Sequence, residues 1–212
     1  MTVELPWRGP GGERPDLPLP PGKMRNRRGG RMLKRWRYVG VFTDEFLLCA
    51  ARVQVGPMGQ TFWALLDRED GEMREHTRTR LPGGRGEVWR EGREGRPAPG
   101  LGKKPGDLTD HVMAEGVRAR LRFGDGEWVE SVCPTPEGQY CWTRKRAGVP
   151  VECDVRLGEK RWQLEARGVE DESAGYHPRH TVWSWSSGLG ELEGGLRLSK
   201  GLGVMEHHDA RW

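Results

Sequence analysis

A chain of 212 residues has room for one ordinary domain or two small ones. Its 35 basic and 31 acidic side chains leave a net charge of only +4. Valine, leucine and phenylalanine make up 39 residues and isoleucine is absent, a hydrophobicity near the level of disordered chains. Disorder also requires a charge imbalance that is missing here. Ten tryptophans restore burial, each removing on the order of 150–250 Å² from water. These figures exclude a fully disordered chain, a membrane span and a disulfide-dense miniprotein. They predict a soluble, aromatic-weighted globular domain with a good deal of loop.

The excess of arginine over lysine, 28 to 7, is explained by G- and C-rich codons, because acids are interspersed with arginines nearly everywhere. The stretch Lys23–Arg37 is the exception, with many basic residues and no acid. It leaves nucleic acid as an alternative partner, bound through phosphates without sequence preference. Cys49, Cys133, Cys141 and Cys153 show neither CxxC spacing nor a histidine at finger spacing, so no metal site and no cofactor are expected. No apolar run approaches the roughly 18 residues of a membrane helix and no signal core is present. A cytoplasmic location with reduced thiols follows as the expectation.

Residues 1–33 are rich in Pro, Gly and Arg and read as an extended arm packed on the domain, with Trp7, Leu17 and Leu19 as anchors. Residues 34–190 form the domain proper. Lys34–Thr43 and Phe46–Val55 are aromatic and β-branched runs separated by Asp44-Glu45, a break of hairpin length. Gly56–Gly59 turns the chain into Gln60–Leu66, completing a β-meander. Residues 82–110 carry Gly, Pro and charge and predict a long flexible loop, with a weak hint of helix over Asp107–Ala114. Val117, Ala119, Leu121 and Phe123 then alternate with arginines, the period-2 signature of a half-buried strand. Further runs at Trp128–Cys133, Gln139–Arg146, Val149–Leu157, Lys160–Arg167 and Arg179–Ser187 bring the predicted strands to nine. The expected fold is all-β, an antiparallel sandwich or an up-and-down barrel. Residues 191–212 read as an irregular tail. Cys133 and Cys141 flank the Pro134–Gly138 turn symmetrically and are expected to face each other, as packed thiols or alternatively as a disulfide.

Asp171–Gly190, DESAGYHPRHTVWSWSSGLG, is the most informative segment. In an extended chain Arg179, Thr181, Trp183 and Trp185 point one way and His180, Val182 and Ser184 the other. The first set combines indole surface for an apolar ligand with a guanidinium to fix an acceptor, as in a pocket wall. The same residues also fit a packed core with Arg179 stacked on the rings. Proton transfer, if there is any, would fall to His177, His180 or Tyr176, with Asp171 or Glu172 as the carboxylic acid. A strand-end role without chemistry is the alternative for each.

The pattern G-Y-x-x-R-x-T-x-W-x-W-S-x-G over Gly175–Gly188 resembles the signature of a bacterial domain family of unknown function. The resemblance extends to Pro6–Gly9, Asp16–Gly22, Lys34–Phe42, Phe62-Trp63, Asp67–Glu69 and Trp142–Lys145. That family is similar to lipocalin-like barrels, distantly akin to carotenoid hydratases and tocopherol cyclases. The resemblance implies a ligand-binding set of Tyr176, Arg179, Thr181, Trp183 and Trp185, and an apolar, isoprenoid-like small molecule as partner. A hydratase-, cyclase- or isomerase-type enzyme on the same fold is the alternative, with His177, His180 and Asp171 as catalytic candidates. Members of the family continue past this motif into further strands, whereas this chain departs from the pattern after Gly190, which predicts a C-terminally truncated barrel. Glu206, His207, His208 and Asp209 have metal-ligand chemistry, but neighbouring residues in a row do not easily surround one ion.

Overall fold

In a computed structural model of the chain, residues 5–9, 13–80, 87–92, 108–135 and 138–178 are described, together with short strands at 190–191 and 197–198. The elements are β1 (Trp7–Gly9), β2 (Arg27–Arg28), β3 (Arg31–Met32), β4 (Lys34–Phe42), β5 (Phe46–Val55), β6 (Met58–Asp67), β7 (Met73–Arg80) and β8 (Val88–Gly92). They continue with β9 (Leu108–Ala114), β10 (Val117–Phe123), β11 (Val129–Pro134), β12 (Tyr140–Leu157), β13 (Lys160–Gly175), β14 (Gly190–Glu191) and β15 (Arg197–Leu198). Among the described residues there is no helix. The all-β reading holds.

One antiparallel sheet runs in the order β7-β6-β5-β4-β13-β12-β10-β9-β8. The 18-residue β12 pairs with β13 along one edge and serves two neighbours along the other, with Tyr140–Lys145 on β11 and Val151–Leu157 on β10. Strand β1 adds to β11. The sheet curls into a half-barrel. Trp63 of β6 donates from Nε1 to Glu87 at 2.9 Å, and His76 of β7 meets the same carboxylate at 2.7 Å. Glu87 immediately precedes β8, so the two ends of the strand order approach each other.

The meander predicted from Lys34 onward is present. Phe42 pairs with Leu47, and the Thr43 hydroxyl accepts from the backbone N–H groups of Glu45 and Phe46 at 3.2 and 3.0 Å. Gly56 turns β5 into β6 with φ +55°, a left-handed conformation suited to glycine. The alternation in β10 also holds: its four apolar residues are buried and its three arginines exposed.

Four local expectations are corrected. In place of the helix expected over Asp107–Ala114, the described residues Leu108–Ala114 form the strand that zips onto β10. The span 82–110 contains β8, whose Val88 and Arg90 are buried; tertiary pairing with β9 supplies what its local composition lacks. The runs Gln139–Arg146 and Val149–Leu157 are one strand. The register shifts between Ala147 and Val149, and Gly148 takes φ +69°, so an extra residue bulges without ending the strand. Finally, β13 does not stop at Arg167 but runs on through a charged Glu-Asp-Glu segment to Gly175.

Two apolar clusters lie along the sheet. The larger combines Val39, Val41, Phe46, Leu48, Leu65, Leu121, Phe123, Val151 and Val155 with Trp162, Leu164 and Ala166 of β13. The smaller joins Leu19, Met24 and Leu33 to Val132, Tyr140, Trp142, Ala174 and Tyr176, with Leu5, Trp7 and Leu17 at its margin. The N-terminal residues are tied to it by polar contacts as well. Tyr140 donates to the carbonyl of Pro18 at 3.0 Å, and Tyr176 to that of Arg25 at 2.9 Å.

Candidate functional site

Strand β13 changes character half-way. Over Lys160–Arg167 half-buried and exposed residues alternate, while every residue from Gly168 to Gly175 is buried. Even-numbered side chains share one face. Trp162, Leu164 and Ala166 lie on the larger core, Ala174 and Tyr176 on the smaller, and Glu170 and Glu172 sit between them. Neighbouring β12 repeats the order, with Tyr140 and Trp142, then Arg144 and Arg146, then Val149 and Val151. Its Arg144, Lys145 and Arg146 stand opposite Glu172, Asp171 and Glu170. In β4, Leu33 just before the strand and Val39 within it flank Arg37, which stands opposite Glu172.

Arg37 is the centre of this interior cluster. It donates to Asp110 of β9 through Nε at 3.0 Å and Nη2 at 2.5 Å, to Glu172 through Nη1 at 2.9 Å, and to Glu170. Glu172 also receives Arg90 of β8 at 3.2 Å and Arg144 at 2.8 Å. Arg146 pairs with Glu170 and donates to the carbonyl of Gly124 at 2.6 Å. The Trp128 ring lies 3.8 Å from the guanidinium carbon of Arg144 and 4.5 Å from that of Arg146, a stacking that suits cations shielded from water. Five strands of the sheet thus meet through charge, between two apolar beds.

The electrostatics are uneven. Burial alone would lower the Arg37 pKa, but Asp110, Glu170 and Glu172 outweigh it and hold the group well above its ordinary value. Burial would raise Asp110, yet Arg37 keeps it below the usual carboxylate value. Arg90 fares differently: burial first, then the nearby Arg37, push it down to about 10. Its side chain is 4% exposed and its Nε has no hydrogen-bond partner. Four guanidiniums, of Arg37, Arg90, Arg144 and Arg146, share three carboxylates, of Asp110, Glu170 and Glu172.

The opposite face of the same strands is buried and polar. The Lys145 ammonium meets Asp171 at 3.0 Å. Further along, the Cys141 thiol lies 3.3 Å from Nδ1 of His177, whose ring packs on Trp36 at 5.0 Å between centroids. Lys34 donates to the carbonyl of Pro178 at 2.7 Å. Tyr38 and Cys49 lie on this face as well, and burial raises the pKa of both.

The residues singled out from the sequence are therefore distributed. Tyr176 points into the smaller core, 1% exposed, edge-on to Tyr140. His177 points to the other face with Asp171. Six extended residues separate that pair by roughly 20 Å, so they do not converge on one reacting atom. Arg179, His180, Thr181, Trp183 and Trp185 lie outside the described residues, as do Glu206, His207, His208 and Asp209. Among the described residues no group of three His, Cys, Asp or Glu side chains could hold a metal ion, and no helix is long and apolar enough to cross a membrane. The basic stretch divides: Lys23, Arg25, Arg27 and Arg28 are exposed, whereas Arg37 is buried in the ion cluster.

Sequence reasoning missed Arg37, Arg90, Asp110, Arg144, Arg146 and Glu170. One signal was available. Counted back from the Gly158-Glu159 turn, RKR at 144–146 and EDE at 170–172 fall opposite each other to within the single bulged residue.

No family model matches the chain, and no curated protein matches it. Among solved structures, a "putative AttH" from Nitrosomonas europaea is similar at a TM-score of 0.38 and 8% identity. The match covers 76% of this chain and 58% of that one, so the chain spans less than two thirds of that protein's length.

Proposed function

We propose that the protein binds a small amphiphile, with an apolar, isoprenoid-like body against Trp183 and Trp185 and an anionic head toward the guanidinium cluster around Arg90. The observation that carries this reading is Arg90, whose side chain is 4% exposed, whose pKa is pushed down by burial and by Arg37, and whose Nε has no hydrogen-bond partner among the described residues. Leaving a buried charged donor unsatisfied costs more than the roughly 1–3 kcal/mol of a neutral one, and a ligand oxyanion supplies both an acceptor for that Nε and a countercharge. Apolar clusters on either side of the charges suit a ligand that is polar at one point only. Tyr176 closes the smaller cluster, and Arg179 and Thr181 belong to the same proposed wall by strand parity. A cytoplasmic location goes with this reading.

An enzyme on this fold is the weaker reading, because Asp171 and His177 stand apart. The test is to purify the full chain under native conditions and identify retained small molecules by mass spectrometry. The Trp183→Ala/Trp185→Ala double variant is expected to lose them, and Arg90→Gln to weaken the retention of acidic ones. Asp171→Asn and His177→Gln are expected to retain them. Equal retention by the double tryptophan variant overturns the proposed wall, and equal retention by Arg90→Gln overturns the anionic head.

A further inference from the structure

Strand β11 sets Cys133 directly opposite Cys141 of β12, and both thiols are free of disulfide. The backbone N–H of Thr135 donates to the carbonyl of Gln139 at 2.7 Å. That makes 135 and 139 a hydrogen-bonded pair, and the antiparallel alternation makes 133 and 141 another. Such residues have Cα atoms about 5.5 Å apart, inside the 4.4–6.8 Å that a disulfide spans. Their Cβ atoms stand nearer 5.5 than 4.5 Å, while a disulfide needs about 3.8 Å. Closing the bridge draws the strands together, which favours an easily reduced bond over a permanent staple.

The two cysteines differ in their surroundings. Cys133 is half-buried; Cys141 is 7% exposed and lies 3.3 Å from His177 Nδ1. Lys34 stands on the same face, close enough for a charged Cys141 to raise the lysine pKa, with Arg31 beyond it acting in the opposite sense. By reciprocity the Lys34 ammonium favours the Cys141 thiolate. An accessible thiol thus stands opposite a shielded one that has a base and a cation beside it, the division of labour between a cysteine that meets an oxidant and one that resolves the product.

We infer that Cys133 and Cys141 are a reversible thiol–disulfide pair whose oxidant is a small-molecule disulfide, with His177 as the base for Cys141. The Cys133 thiolate attacks one sulfur of the small disulfide, forming a mixed disulfide and releasing one thiolate, which takes up the proton Cys133 gave to solvent. The Cys141 S–H passes its proton to His177 Nδ1. Its sulfur then attacks Cys133 Sγ, closes the Cys133–Cys141 bond and expels the second thiolate, which takes the proton from the imidazolium. Two protein thiols lose two electrons and one small disulfide becomes two thiols.

The experiment treats the reduced full chain with oxidised glutathione, quenches with iodoacetamide and maps cysteine-containing peptides by mass spectrometry over a range of pH. The wild type is expected to give a Cys133–Cys141 bridged peptide that dithiothreitol reverses. Cys141→Ser is expected to stop at a glutathione adduct on Cys133. His177→Gln is expected to form that adduct at the wild-type rate but to close the bridge roughly 10–100-fold more slowly, with its pH profile moved upward. His177→Asn serves as a second variant, and slow alkylation of buried Cys153 checks that each variant is folded. A wild-type chain that stops at the Cys133 adduct overturns the pair. An unchanged closing rate and pH profile in both folded His177 variants overturns the role of the histidine.

Discussion

Replacing Arg37 by methionine removes the group on which the interior charges converge. The guanidinium makes four hydrogen bonds to Asp110, Glu170 and Glu172, and those carboxylates are at most 8% exposed. Hydrogen bonds to charged groups contribute about 1.5–3 kcal/mol each, so the gross loss is roughly 6–12 kcal/mol. Several kcal/mol return because the variant no longer desolvates a guanidinium. The net loss is about 3–5 kcal/mol, the range for breaking a buried pair from one side. In a chain of this size that corresponds to a fall in Tm of roughly 6–20 °C.

The pH dependence follows from Asp110. In the folded wild type its pKa is depressed, so its contribution is present above the unfolded carboxylate value and is lost as pH falls through the folded one. Without Arg37, burial becomes the dominant influence and the folded pKa rises above the unfolded one. Protonation then relieves the variant as pH falls. Urea unfolding of both proteins, followed by tryptophan fluorescence at about pH 7 and about pH 4.5, is expected to show a smaller difference at the lower pH. Adding Asp110→Asn is expected to recover part of the loss, because that carboxylate accepts twice from Arg37. A difference below about 1 kcal/mol at neutral pH, the size of an exposed pair, would refute the reasoning, as would a difference that grows on acidification.

Gly168→Ala is expected to destabilise the fold by about 1–3 kcal/mol in the same assay. An added Cβ would lie 2.9 Å from the Gly40 carbonyl oxygen, with Val151 and Phe123 at 2.7 and 2.8 Å; an unchanged midpoint would show that the three strands have room to separate. Burial pushes the Cys153 thiol up to about 12, leaving roughly one part in ten thousand as thiolate at about pH 8. Iodoacetamide at that pH is expected to label Cys133 well before Cys153, and Cys153 only in denaturant. Labelling of native Cys153 at the rate of a free thiol would contradict its burial.

Much of the sheet could be read from residue order alone, wherever one face of a strand meets the core and the other meets water. Val117–Phe123 shows this most plainly, and the β4–β5–β6 meander follows from runs and breaks of hairpin length. Reading failed where both faces are buried. Over Gly168–Gly175 apolar and polar residues no longer alternate, and acidic residues argue against a strand, so β13 looked eight residues too short. The same cause hid the ion cluster. A carboxylate in a strand is read as exposed unless its partner is known, and Arg37, Asp110 and Arg90 come from strands far away in sequence.

Residue order thus decided the all-β class, the positions of many turns and strands, and the facing of Cys133 and Cys141 across a short connection. These depend on contacts between near neighbours, or on a period that each strand carries within itself. The curl of the sheet decided what fills its interior. Only when β8 and β9 come round to face β4, β12 and β13 do four arginines find three carboxylates, and charges too costly to bury singly become the join between two apolar cores.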